Sequence, residues 1–192
     1  MNGVSTSTYN LCQTLKNHGH NVLVVTPRIN EGPLEVVDNV IYVPGIELKN
    51  LYGYRLTKLY NSKIVKMIQD FKPDVLHNQT DAMLGQFSKI VAKKLNIPII
   101  YTYHTAYEDY SYYVTKGFFD RLVKQTLRSY TKVVAKITTE FITPSSKTKE
   151  YMRSVGNDIY VNIVPTGIDF SLFDEKHVDI NKQNEFKEKN NI

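Results

Sequence analysis

The most constraining feature of this chain is a βαβ unit whose first strand is not in the sequence. Residues 1–8 read as a polar loop with one glycine, Gly3, leading into a helix. Val4, Thr8, Leu11 and Leu15 follow at spacings of four, three and four, the period of a helical face. Gly19 closes that pattern, as glycine does after a last helical turn. Residues 21–26 are a short apolar run rich in β-branched side chains, bounded by Pro27. Loop, helix and buried strand form the later part of the unit that builds doubly wound parallel sheets. The pattern predicts a nucleotide-type α/β fold and places the missing strand before residue 1.

The alternation continues along the chain. Residues 40–43, 74–77, 97–103, 140–143 and 160–164 read as strands. Tyr60, Ile64, Met67, Ile68 and Phe71 form one helical face that stops before Pro73. Met83, Leu84, Phe87, Ile90, Val91 and Leu95 form a second. Phe119, Leu122, Val123, Tyr130, Val133, Val134 and Ile137 form a third and longer one. A last helix opens at Pro144, with Ser145 or Ser146 as its cap, and ends at Gly156. Segment 45–59 is ambiguous. Strands alternating with helices of this length imply a mostly parallel sheet covered by helices on both faces. Beyond Phe173 the chain turns polar, and 182–191 holds one apolar residue, Phe186. That tail is a linker, or the opening of an element whose partner lies elsewhere.

With 192 residues, 42% of them hydrophobic, the chain can build one core. No apolar run is long enough to span a bilayer, and no charged-then-apolar leader opens the sequence. The single cysteine, Cys12, cannot form an internal disulfide, so a reducing cytoplasm is the default. No Cys/His spacing suggests a metal. The net charge of +5 is confined to one element: 116–136 holds six basic residues and one acid. Arg121, Lys124, Arg128, Lys132 and Lys136 make one stripe on a helix, with an apolar stripe opposite. Such a helix suits an anionic bilayer, at about 1 kcal/mol per basic side chain. The plainer reading is the solvated face of a core helix. Nucleic acid is not expected, because no recognition motif accompanies the charge.

Ligands of open parallel sheets bind beyond the carboxyl ends of the strands. His77 and His104 stand at two such ends. An imidazole there can bond a hydroxyl or offset developing charge; the alternative at both positions is a ring satisfied by backbone. His104 opens a ten-residue segment with four tyrosines and two adjacent acids, including Tyr107, Glu108, Asp109 and Tyr110. Phenols and carboxylates hold sugar or glycerol hydroxyls while the rings pack on apolar faces. The same composition also fits a loop tucked under the next helix. The Gly3 segment leads into a helix amino terminus, whose N–H groups, with the hydroxyls of Ser5, Thr6 and Ser7, suit a phosphate.

Taken together, these segments resemble the amino-terminal domain of family 4 glycosyltransferases of the GT-B class, closest to the 1,2-diacylglycerol 3-glucosyltransferase group. The resemblance rests on Asn2-Gly3-Val4-Ser5-Thr6 with Gly19-His20-Asn21-Val22, and on Pro73-Asp74-Val75-Leu76-His77. It rests more specifically on Tyr103-His104-Thr105-Ala106-Tyr107-Glu108-Asp109-Tyr110 and on Val164-Pro165-Thr166-Gly167-Ile168-Asp169 with Phe173 behind. Thr166 stands where many members have Asn. The similarity implies a Rossmann-like domain over 1–174, lacking its first strand, and a polar linker over 175–192 toward an absent donor-binding domain.

The resemblance also implies an activity. The amino lobe would receive a lipid acceptor such as diacylglycerol. A second lobe would hold a nucleotide sugar such as UDP-glucose as substrate, with no cofactor and no metal, and the hexose would move with retention. Carried over by position, Gly3, Val4 and Ser5 would approach the donor diphosphate, and His104 would be catalytic, contacting the transferred sugar. Tyr107, Glu108, Asp109, Tyr110 and His77 would line the acceptor side, and Thr166, Gly167, Ile168 and Asp169 would mark the domain boundary. Arg121, Lys124, Arg128 and Lys132 would meet the anionic surface of the cell membrane, on its cytoplasmic face. The Glu-x7-Glu pair of the second lobe does not occur here, so this lobe would not catalyse alone. Two other classes compete. One is a non-catalytic α/β module that uses its basic helix to bind a membrane or a protein. The other is a flavodoxin-like receiver, which needs acids at the end of strand 1.

In the implied strand order 3-2-1-4-5, strand 1 is central. About five apolar side chains at ~2 kcal/mol each would contribute ~10 kcal/mol before entropy is subtracted, which rivals a domain's net stability of ~5–15 kcal/mol. The expectation is a chain of low stability, with strands 2 and 4 facing a gap or closing on each other. A cooperative thermal transition of monomeric 1–192 well above about 50 °C would contradict it.

Overall fold

A computed structural model describes residues 3–48, 54–104, 120–154, 156, 159–168, 170, 179–190 and 192. Helix α1 (Gly3–Asn17) opens the fold. Residues 3–5 therefore form a first helical turn rather than a loop. The helix ends where the sequence places its stop, with Gly19 at φ +84°, and none of its residues is fully buried.

Strand β1 (Val24–Pro27) runs parallel to β3 (Val40–Val43), with Val24 opposite Val40. Strand β2 (Glu35–Val37) returns antiparallel to β3 through Asp38 and Asn39. Both turn residues have positive φ, 47° and 62°, the backbone that tight hairpins require. The ambiguous segment resolves as a second hairpin, β4 (Gly45–Leu48) with β5 (Tyr54–Thr57). Its cross-strand pair Ile46 and Leu56 is exposed. Burial therefore imposes no alternation on this stretch, and the sequence carries no clear period.

Helix α2 (Ser62–Phe71) is capped by Asn61, whose side chain accepts from the N–H of Lys63 and of Ile64. It buries Ile64, Val65 and Ile68. There follow β6 (Leu76–Asn78), α3 (Met83–Leu95), β7 (Ile99–Thr102), α4 (Asp120–Ile137), β8 (Glu140–Thr143), α5 (Ser146–Ser154) and β9 (Val161–Ile163). These four strands form a parallel sheet in the order β6-β7-β8-β9, the α/β architecture that the alternation predicts.

The sheet is split. β1 ends the first sheet and β6 ends the second, and among the described residues these two strands do not pair. One apolar cluster nevertheless joins them. Ile41, Val43, Ile64, Val65, Ile68, Phe87 and Val91 are buried together, with Leu23, Val25 and Leu76 packed against them. Helices α2 and α3 thus hold both sheets in one body. A second cluster, Tyr101, Tyr103, Val134, Ala135, Phe141, Met152 and Val161, fills the space between the parallel sheet and helices α4 and α5.

Two elements differ from expectation. Helix α4 buries Thr131, Val134 and Ala135, while Val133 and Ile137 are 57% and 51% exposed. The anticipated apolar face is thus only partly the buried one; Tyr130 packs its ring against the second cluster and gives its hydroxyl to Asp81. In the tail, Ile180–Asn190 forms a helix, α6, rather than a plain linker. Asp179 caps it by accepting from the N–H of Asn181 at 3.0 Å, and its Lys, Glu and Gln residues favour helix. It buries nothing, so no periodicity announces it.

Gly85, in the first turn of α3, fixes how closely that helix meets the segment after β6. A Cβ there would lie 1.8 Å from the carbonyl oxygen of Thr80. Gly85→Ala is therefore expected to lower the urea-unfolding free energy by about 3 kcal/mol. Gly3→Ala, whose Cβ would meet nothing within 4 Å, is expected not to lower it.

Candidate functional site

In parallel strands, side chains two residues apart share a face. The register sets Thr102 opposite Ile142 and His77 opposite Ile100. His77 from β6 with Gln79 just past its end, Thr102 from β7 with His104 two residues past its end, and Ile142 from β8 emerge on one face near the carboxyl ends. With helix α1 they enclose a hollow of about 710 Å³, within the usual range of small-molecule sites. Ser7, Asn10, Gln13 and Thr14 line it from α1, and Pro144, Val164 and 165–168 line it from the ends of β8 and β9. The amide of Asn10 donates to the carbonyl of Gly167 at 3.4 Å, tying α1 to that exit segment.

Two histidines define the polar floor. His77 Nε2 lies 2.7 Å from Thr102 Oγ1. His104 Nε2 lies 2.6 Å from Gln79 Oε1. Burial, and secondarily the neighbouring His104, lowers the pKa of His77 to about 4, so its ring is neutral near pH 7. Burial also lowers His104, with the Asp81 carboxylate pulling the other way.

Behind this floor sits a second polar cluster. Asp81 accepts from the hydroxyl of Tyr101 through Oδ2 and from that of Tyr130 through Oδ1, the latter at 3.0 Å. Tyr130 in turn accepts from the Gln86 amide and from Lys89 Nζ, the latter at 2.7 Å. Burial first, and then Asp81, raises the Tyr130 phenol well above its ordinary range, which keeps it a proton donor to the carboxylate. Burial also lowers Lys89, against the pull of Asp81, and its ammonium stands 4.8 Å from the centre of the Tyr130 ring.

The hollow brings together His77, His104, Thr166, Gly167 and Ile168. Gly3, Val4 and Ser5 form the first turn of α1, one turn before Ser7, and do not line it. Tyr107, Glu108, Asp109, Tyr110 and Asp169 lie outside the described residues, as do the side chains of Arg121 and Lys124. Arg128, Lys132 and Lys136 are exposed on α4. Sequence reasoning missed Gln79, Thr102 and Asn10 in the hollow, and Asp81, Tyr101 and Tyr130 behind it. The two-residue spacings, His77 to Gln79 and Thr102 to His104, stand in the sequence, but only the register of β6 against β7 gives them meaning.

Residues 1–172 match the family described as Glycosyltransferase Family 4. The chain is 34% identical over 182 residues to an alpha-monoglucosyldiacylglycerol synthase of Acholeplasma laidlawii, covering 90% of this chain and 44% of that protein. It is 28% identical over 190 residues to the alpha-monoglucosyldiacylglycerol synthase of Streptococcus pneumoniae, covering 98% and 42%. It is 24% identical over 172 residues to a GDP-mannose-dependent alpha-mannosyltransferase of Corynebacterium glutamicum, covering 83% and 39%. The chain thus spans about two fifths of the length of these relatives.

The low pKa of His77 makes a stability prediction. Above pH 6.5, the ordinary value, folded and unfolded chains both hold this ring neutral. Between 6.5 and about 4 the unfolded ring binds a proton that the folded one refuses, so stability falls with pH over that window and the slope ends below it. Urea unfolding of wild type and His77→Asn at pH 7.5 and 4.5 isolates the effect. Wild type is expected to lose about 2 kcal/mol more than the variant on acidification, after discounting for partial exposure. Equal losses would remove the burial argument for His77.

Proposed function

Because the chain belongs to glycosyltransferase family 4, we propose that its hollow is the acceptor-side half of a site that moves a hexose from a nucleotide sugar to a lipid hydroxyl. Diacylglycerol is the acceptor favoured by the names of two relatives. The observation that carries the reading is the convergence of His104 and the 166–168 exit segment on one hollow, under the helix whose first turn is Gly3 to Ser5. In this reading the N–H groups of that turn meet the donor diphosphate. His104 bonds the transferred sugar and supports charge at the reacting carbon. The nucleotide sugar is a substrate supplied mainly by a second lobe, and transfer retains the anomeric configuration. His77 and the tyrosine-rich segment after His104 face the acceptor.

The lipid reaches the hollow from a membrane surface on the cytoplasmic side. Among the described residues no helix is long and apolar enough to cross a bilayer. Helix α4 supports attachment at the surface instead: Arg128, Lys132 and Lys136 are exposed on it, together with Val133 and Ile137. Basic head groups with apolar neighbours are the composition of interfacial helices. Arg121 and Lys124 extend the same stripe in sequence.

Transfer is tested in a two-lobed enzyme built on this chain, given nucleotide hexoses and vesicles containing diacylglycerol. Glycosylated diacylglycerol is the expected product, and His104→Ala is expected to lower kcat by about 10²–10³-fold. An unchanged kcat would remove His104 from the reaction. Attachment is tested by flotation with vesicles of anionic phospholipid. Replacing Arg128, Lys132 and Lys136 by Gln is expected to weaken partition about 100-fold, at about 1 kcal/mol per charge. Unchanged flotation would return α4 to the role of a solvated core helix.

A further inference from the structure

We propose that Gln79 is a positioning residue that fixes the tautomer of His104, so that the hollow offers its ligand a hydrogen-bond acceptor and thereby selects a hydroxyl over an anionic oxygen. The ligand part of this inference rests on the hexose-transfer reading of the hollow; the tautomer part does not.

An amide oxygen only accepts. With Gln79 Oε1 at 2.6 Å from Nε2, the shared proton belongs to His104 Nε2. In the neutral ring Nδ1 then keeps its lone pair, and among the described residues it has no partner. A sugar or glycerol hydroxyl can donate to that nitrogen, whereas the diphosphate of a nucleotide sugar, esterified at both ends, has no proton to give at neutral pH. Near the other histidine the partner is a hydroxyl, Thr102 Oγ1, which can donate or accept and so dictates no tautomer. Gln79 is the group that makes the difference.

Gln79 can impose this only if its own backbone is held, and residues 78–82 are unusually well held. Asn78 Oδ1 accepts from the N–H of Thr80 at 3.1 Å, and Thr80 Oγ1 accepts from the N–H of Ala82 at 3.2 Å. Asp81 is anchored to β7 by Tyr101 and to α4 by Tyr130. The bare Cα of Gly85 lies against the carbonyl of Thr80, where no side chain fits. Gln79 is thus presented from a braced segment, as positioning residues must be. Burial adds to the effect by disfavouring a charged His104; a ring charged on both nitrogens would donate twice and would suit a diphosphate.

The test is long-range proton–nitrogen NMR of the 1–192 chain labelled with ¹⁵N-histidine at pH 7.5, with His104→Gln to assign the ring. The expected result is a single Nε2–H tautomer at His104. In Gln79→Ala it gives way to a mixture of the two tautomers while the His77 signals stay in place. In Gln79→Glu, which keeps an acceptor oxygen, the Nε2–H tautomer persists and His104 titrates at higher pH. An Nδ1–H tautomer in wild type, or His104 nitrogens unchanged in Gln79→Ala, would overturn the positioning role. If Gln79→Ala does not fold, Gln79→Met supplies the same comparison without the acceptor. Methyl glucoside and inorganic sulfate, a fully ionised oxyanion, serve as probes of the ligand. Displacement of the Nδ1 signal by the glucoside alone supports hydroxyl selection, and displacement by sulfate overturns it. A Gln79-dependent tautomer that neither probe disturbs would overturn the hexose reading and leave the positioning role standing.

Discussion

Everything in this fold depends on apolar packing across a break in the sheet. β1 and β6 belong to separate ladders, so no main-chain hydrogen bond between described residues ties the first sheet to the second. The joint is made by side chains: Phe87 and Val91 of α3 and Ile64, Val65 and Ile68 of α2 bury against Ile41, Val43 and Val25 on one side and Leu76 on the other. At about 1.5–3 kcal/mol for each fully buried large apolar side chain, this cluster is large enough to hold the two ladders together. It is also non-directional, which a ladder is not. A joint of this kind tolerates a gap between strand edges as long as the helices above it stay packed.

The hollow lies on one face of the second sheet only. Helix α1 has no fully buried residue, and it lines the hollow with Ser7, Asn10, Gln13 and Thr14 beside Tyr9 and Leu11. Opposite them stand His77, Gln79, Thr102 and His104 together with Ile142, whereas Tyr101, Tyr103 and Phe141 fill the other side of the sheet. Two faces of one sheet thus have different chemistry. The face toward α4 and α5 is a packed aromatic and aliphatic core. The face toward α1 is an open basin of mixed lining, where His77 pairs with Thr102 and His104 with Gln79.

Legibility in the sequence followed burial. Helices α2 and α3 and strands β3 and β7 were readable because one side of each is buried, and burial imposes a period on the residues. The β4–β5 hairpin and α6 were not, because Ile46, Leu56 and the whole of α6 are exposed and nothing constrains their pattern. The two histidines were readable from their position at strand ends. Their partners were not, since Gln79 and Thr102 have no distinctive composition and become visible only when register sets the strands side by side. Asp81 was the least readable. Its meaning comes from Tyr101 and Tyr130, which lie 20 and 49 residues away, and no local rule connects them.

That long-range contact places α4 in two roles at once. The helix presents Arg128, Lys132 and Lys136 to solvent, and between the first two it sends Tyr130 inward to Asp81. Asp81 lies two residues from Gln79, and Gln79 holds His104. A displacement of α4 has few ways to be absorbed along this path. Tyr130 is held by Asp81, Gln86 and Lys89 together, and Gly85 leaves no slack between α3 and Thr80. The surface helix and the floor of the hollow are therefore joined through Tyr130, Asp81 and the short 79–81 segment, although they face opposite sides of the sheet.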